Sequence, residues 1–294
     1  MLRIVLFLLT NLAIMLVLSV VASIFGLDRW AYSHTGINLA GMLVFCALFG
    51  VGGSLISLLL SKTMAKMSVG AQVIAQPRDA SEQWLFNTVA QHAKNAGIGM
   101  PEIAVYEAPE MNAFATGASR NHALVAVSTG LLQSMNRDEV SAVLGHEISH
   151  VANGDMVTLA LIQGVVNTFV MFLARVLGSV IDNAISGNRD NREGSYGIGY
   201  FVITMVLQMV LGVLATMIVM WFSRWREFRA DAGGAQLGGR TNMISALRTL
   251  SGDHGDTGLP KALVAFGIAG DSGIARLFMS HPPIAERIAA LQKG

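Results

Sequence analysis

The sequence predicts a mainly α integral membrane protein: four transmembrane helices plus an α+β domain with a small sheet. Three observations predict it. Charge-free runs long enough to cross a bilayer occur in two pairs, and a charged stretch with periodic apolar residues follows each pair. The composition is 53% hydrophobic and only 13% charged, against about 25% charged in ordinary soluble chains. A net charge of +1 without long blocks of one sign gives no support to nucleic-acid binding. The single cysteine, Cys46, lies inside an apolar run and leaves no internal disulfide framework.

In order, residues 1–61 form a transmembrane hairpin. Ile4–Leu27 is charge-free between Arg3 and Asp28, and about 20 residues suffice for a span. The run is too long for a signal-peptide core, so it is expected to be retained. A second run centres on 38–60, where Gly50, Gly52 and Gly53 predict close packing against another helix. Residues 62–155 form the first part of the domain outside the bilayer. Asp79-Ala80-Ser81-Glu82 opens a helix with Trp84, Leu85 and Val89 on one face. Ile103–Tyr106 and Ala123–Val127 read as strands, with Asn112-Ala113-Phe114-Ala115-Thr116-Gly117 between them. An open edge of that sheet would suit an extended peptide backbone. His92, His122 and His254 read as surface residues, and His34 as belonging to the loop on the opposite side of the membrane.

A helix then starts at Arg137-Asp138-Glu139 and ends at Asn153-Gly154. Residues 156–223 form the second hairpin, with spans at about 156–176 and 200–222 by the same length rule. Tyr196, Tyr200, Trp221 and Trp225 sit near its ends, as interfacial aromatics do. Residues 224–294 complete the second part of the domain. Arg3, Lys62, Lys66, Arg78, Arg224, Arg226 and Arg229 bias one side of the membrane towards positive charge, which predicts cytoplasmic termini and a cytoplasmic domain.

Within the helix over 137–153 lies His146-Glu147-Ile148-Ser149-His150. Positions i and i+4 share a helix face, so His146 and His150 can offer two imidazoles to one zinc ion. A catalytic zinc keeps one position open for water and lowers that water's pKa from about 15.7 to about 7. Glu147 is placed to accept its proton. Such a motif can arise by chance on a polar helix face. Here Ala142-Val143-Leu144, Ile148 and Val151 make the flanks apolar, and buried His and Glu need partners or a metal. The expected domain is therefore zincin-like, with one Zn²⁺ per chain.

Two histidines require a third ligand. Glu227, Asp231, Asp155, Glu193, His254, His281 and Glu286 are the candidates. Glu227 and Asp231 stand at i and i+4 beyond the last span, on one helix face. The reading favours Glu227 as ligand and Asp231 as acceptor for the free ring N–H of a ligand histidine. The competing reading pairs both acids with Arg224, Arg226 and Arg229 on an exposed helix end.

Gly145–Asp155 (GHEISHVANGD), Asn112–Gly117 (NAFATG), Arg226–Asp231 (REFRAD) and His281-Pro282-Pro283 with Arg287 together resemble the HtpX-type bacterial membrane zinc metallopeptidases, relatives of the CAAX prenyl proteases. The resemblance covers nearly the whole chain. It implies zinc held by His146, His150 and Glu227, with Glu147 as base and Asp231 in support. It further implies a multi-pass protein of the bacterial inner membrane acting in stress response and membrane-protein quality control, in functional overlap with the FtsH-type protease. Expected substrates are membrane proteins and unfolded polypeptides presented at the bilayer. Unlike soluble zinc proteases with two histidines and a glutamate, this chain separates His150 from Glu227 by a membrane hairpin, which is expected to bring the metal close to the membrane surface.

Asn112 is a candidate substrate-backbone contact or a turn residue, and His281 a candidate oxyanion donor or a helix-entry residue. Arg287 is a candidate partner for a buried acid. Two other functions compete: a processing peptidase for lipidated C-termini, and a zinc-binding membrane protein without hydrolysis.

Overall fold

A computed structural model describes residues 38–186, 198–252 and 273–293, together with Ile24. Apart from Ile24, the expected first span lies outside the described residues, as do His34, Glu193 and His254. In chain order the elements are α1 (Leu39–Val69), β1 (Gln72–Val73), α2 (Ala80–Asn95), β2 (Glu102–Tyr106), β3 (Ala113–Ser119), β4 (His122–Ser128), α3 (Thr129–Ser134), α4 (Arg137–Asn153), α5 (Asp155–Ser186), α6 (Ile198–Gly238), α7 (Arg240–Gly252), α8 (Gly273–Phe278) and α9 (Ile284–Lys293). Among the described residues three helices, α1, α5 and α6, are long and apolar enough to cross a membrane. The chain is a multi-pass membrane protein.

The chain divides into two compact units, residues 1–56 with 160–219, and residues 57–159 with 220–294. The first unit is held by close helix contact. A Cβ on Gly50 of α1 would collide with Thr168 and Gly164 of α5, and the Ser54 hydroxyl donates to the Ala160 carbonyl. Small residues are what let membrane helices approach this closely. Among the described residues nothing lies within 4 Å of a Cβ placed on Gly52 or Gly53, so the packing seen on α5 is that of Gly50. Helix α5 continues past Ala174 through Arg175, whose guanidinium donates to the Met171 carbonyl at 3.1 Å and sits 5.5 Å from the Phe45 ring centre.

In the second unit the sheet order is β1-β2-β4-β3, with β2 and β4 parallel and the other pairs antiparallel. Strand β4 is central. Ala123, Val125 and Val127 join the main core with Leu85 and Val89 of α2 and Val140, Leu144 and Ile148 of α4, while Leu124 and Ala126 pack on the opposite face with Tyr106 and Phe114. Burial on both faces explains why this strand reads as an unbroken apolar run. Residues 113–119, which carry no clear strand alternation, form the edge strand β3, and two residues form β1. Both edges take their conformation from pairing with a neighbour rather than from their own pattern.

His92 is corrected from surface to core. It is 5% exposed, with Nε2 3.0 Å from both the Ser141 carbonyl and hydroxyl oxygens. Its i−3 and i−7 neighbours Val89 and Leu85 are buried, so the apolar stripe of α2 carries the imidazole inward with them. Burial lowers its pKa, opposed by the Ser141 carbonyl. Lys62 and Lys66 at the end of α1 bind Glu102 of β2 at 2.7 and 3.1 Å.

Candidate metal centre

Helix α4 is set by its ends. Asn136 caps its N-terminus and closes a capping box with Glu139, while Gly154 ends it in the left-handed region at φ 66°. The box satisfies backbone donors that the first turn leaves free, and the glycine reverses the chain without a Cβ penalty. Glu139 is buried and also accepts from Ser245 and Thr249 of α7, at 2.6 and 3.0 Å. The helix is thereby tied down at both ends and buried along its middle, where His146, Glu147 and His150 lie.

The last turns of α6 reach this helix because glycines remove the side chains between them. A Cβ on Gly234 would stand 3.0 Å from the His146 backbone nitrogen, and one on Gly238 would stand 2.5 Å from Ala142 Cα. Gly145 on the α4 side meets Leu237 and Gly234. Gly238→Val is therefore expected to push the helices apart. Overpacking of this kind costs about 1–3 kcal/mol, and the bound zinc should fall at least about tenfold, as displaced ligand geometry dictates. Metal analysis of the purified variant checks this; wild-type zinc content would contradict it.

This contact brings Glu227 to the two histidines. Ligand atoms of His146, His150 and Glu227 lie within 4.8 Å of one another, and all three residues are buried. His146 Nε2 and His150 Nε2 face each other at 3.1 Å. Glu227 Oε1 is 3.2 Å from His150 Nε2, and Oε2 is 3.6 Å from His146 Nε2. A tetrahedral ion with metal–nitrogen bonds of about 2.0–2.1 Å needs donors about 3.3 Å apart. The two imidazole nitrogens lie near that spacing, and each has one Glu227 oxygen close to it.

Both Nδ1 atoms turn away towards carboxylates. His150 Nδ1 donates to Asp155 Oδ2 at 2.7 Å. His146 Nδ1 is 2.9 Å from Asp231 Oδ1, within ion-pair reach although not aligned as a hydrogen bond. A carboxylate on the outer nitrogen fixes the tautomer and leaves the inner nitrogen's lone pair for a metal. Asp155, considered above only as a third ligand, takes this second carboxylate place. Its sequence signal is its position directly after the Asn153-Gly154 helix end, five residues beyond His150. Arg226, which the sequence offered only as a surface partner for acids, is 4% exposed and donates to the Asp155 carbonyl at 2.6 Å. Burial lowers its pKa, against the raising effect of the Asp155 charge.

Arg287 binds Asp231 with two donors, at 2.6 and 2.8 Å. Burial pushes the Asp231 carboxyl up, but Arg287 and then His146 hold it below its usual range. Burial likewise opposes ionisation of Glu227, yet hydrogen bonds from His150 and His281 hold it far below the carboxylate range. Burial lowers the His150 pKa, and Asp155 and Glu227 more than reverse this, raising it to about 10. The carboxylates of Asp155, Glu227 and Glu147 thus all act on this one imidazole, a concentration of negative charge that a divalent cation would offset.

The remaining candidates differ in how near they lie to the cluster. Glu147 is buried, and its charge acts on His150 and Arg287. His281 is more than half exposed, with Nδ1 2.6 Å from Glu227 Oε2. Asn112 is exposed at the start of β3, its main chain paired with Ser128. Glu286 is exposed and paired with Arg276, away from the cluster.

The family model for peptidase family M48 matches residues 79–294, which takes in every residue of this cluster. The chain belongs to peptidase family M48. It is 62% identical over 292 residues to the Protease HtpX of Xanthomonas euvesicatoria pv. vesicatoria, covering 99% of this chain and 97% of that protein. The Protease HtpX of Xanthomonas axonopodis pv. citri is 61% identical over the same coverage. The crystal structure of S. mikatae Ste24p shares the fold with a TM-score of 0.60 at 20% identity, covering 98% of this chain and 67% of that one. The chain is thus a membrane-bound zinc metalloprotease of the M48 family.

Proposed function

We propose that this M48 member is an endopeptidase of the bacterial inner membrane that cleaves misfolded or damaged membrane proteins at the cytoplasmic face. The observation that carries the proposal is the meeting of His146, His150 and Glu227 around one ion-sized space, with Glu147 on the same helix as the histidines. His146, His150 and Glu227 would hold zinc. Bound there, zinc supplies a Lewis acid and makes water acidic enough to ionise near neutral pH.

The chain's own residues do the rest. Glu147 takes a proton from the attacking water and passes it to the departing amine. Asp155 and Asp231 keep the imidazoles in the tautomer that turns Nε2 inwards. Arg287 offsets the charge of Asp231, so the pocket does not collapse into unpaired carboxylates. Among the described residues strand β3 pairs with β4 along one side only, and α4 packs against it. Its other side suits a substrate backbone added as a further strand, which is sequence-tolerant and fits unfolded polypeptide. Asn112 at the start of that strand is proposed to touch the substrate backbone, and His281 to donate to the oxyanion. The excess of Lys and Arg at the ends of the predicted spans supports the cytoplasmic orientation.

Purified full-length protein tests this with casein and with an unfolded membrane protein. Cleavage is expected to stop on chelation and to return with stoichiometric Zn²⁺. Cleavage that persists after zinc is stripped would overturn the assignment.

A further inference from the structure

Arg224, Glu227 and Asp231 are spaced by three and four residues on α6, which puts all three on one face of the helix. The segment running from α8 into α9 lies along that face and meets each in turn. Arg224 Nη1 donates to the Leu277 carbonyl at 3.2 Å and to the Met279 carbonyl at 2.8 Å. His281 Nδ1 reaches Glu227 at 2.6 Å, and Arg287 grips Asp231. Between the two carbonyls held by Arg224, Phe278 is 3% exposed. Beyond His281, Pro282 is buried and Pro283 leads into α9.

His281 itself is more than half exposed and belongs to no helix or strand. A single hydrogen bond does not orient an exposed imidazole; its backbone has to be held on both sides. On the far side Arg287 does this through α9. On the near side the only described side chain that hydrogen-bonds the backbone between Leu277 and His281 is Arg224. Leu277, Met279 and His281 are alternate residues, so donors to the first two set where the third begins.

We propose that Arg224 is a positioning residue: by clasping the Leu277 and Met279 carbonyls it fixes the backbone from which His281 reaches the zinc-site carboxylate. The proposal rests on the reading above in which Glu227 ligates zinc and His281 acts on the substrate. Arg224 directs its described hydrogen bonds to that backbone and not to the proposed zinc ligands. Its effect is transmitted through His281, so the two residues are energetically one unit. Residues that act as a unit lose activity non-additively.

The test uses the zinc-loaded full-length protein in lipid nanodiscs, comparing wild type, R224A, R224K, H281A and R224A/H281A on a fluorescent peptide. For R224A, zinc content and KM are expected to stay within twofold of wild type while kcat falls roughly 10- to 100-fold, the range that misplaced catalytic groups cause. R224A/H281A should be no slower than H281A alone. R224K should recover part of the loss, since an ammonium can still donate to one carbonyl. Multiplied losses in the double variant, or an R224A defect that appears in zinc content or KM, would overturn the role of Arg224. A slow H281A beside a fully active R224A overturns it alone, whereas a fully active H281A overturns the underlying reading of His281.

Discussion

Glu147→Gln is expected to leave zinc bound and to lower kcat about 1,000-fold, in the middle of the 10²–10⁴-fold range for a positioned acid–base group. The amide keeps the size of the carboxylate but cannot accept a proton. Because Glu147 is buried on a helix anchored by its capping box and by Gly154, the isosteric change leaves packing intact, and thermal stability should move little. His146, His150 and Glu227 stay unchanged, so metal content should match wild type. Single-turnover peptide cleavage and metal analysis of the same sample check both halves. Full cleavage with normal zinc would remove Glu147 from the chemistry.

Glu227→Ala is expected to lose zinc outright, with affinity down by more than the roughly 10–100-fold that outer partners contribute. Removing the carboxylate takes away one of three converging donors, and its consequences spread further. His150 and His281 each lose a partner at 3.2 and 2.6 Å. Arg287 keeps its two-donor contact with Asp231, so α9 should remain docked and the fold should survive as an apoprotein. Equilibrium dialysis against ⁶⁵Zn and circular dichroism separate these outcomes. A variant that binds zinc as wild type would exclude Glu227 as a ligand, whatever its activity.

What could be seen from the residues alone was what local spacing controls. Long charge-free runs predict helices that cross a bilayer, and α1, α5 and α6 are such helices. A His-x-x-x-His spacing inside a helix with an Asn-Gly end puts both imidazoles on one face, and α4 has that end at Gly154. Signals that depend on partners were less legible. Gly50 packs on α5, but Gly52 and Gly53 read identically and meet no described residue. His92 sits among polar neighbours in sequence and yet lies in the core. Residues 113–119 lack a strand's alternation and still form an edge strand, because β4 supplies the pairing.

By itself, then, the sequence determined the helices, the lengths that suit a membrane and the shared face of His146 and His150, since each depends on intervals of a few residues along one chain segment. Only the tertiary structure decided that Glu227 approaches them across 77 residues, that Asp155 meets the outer nitrogen of His150, and that His281 leans on Glu227. Those outcomes depend on how closely two helix backbones can come. That distance is set by the absence of a Cβ at Gly234 and Gly238 opposite His146 and Ala142, a contact between surfaces that no interval along the chain encodes.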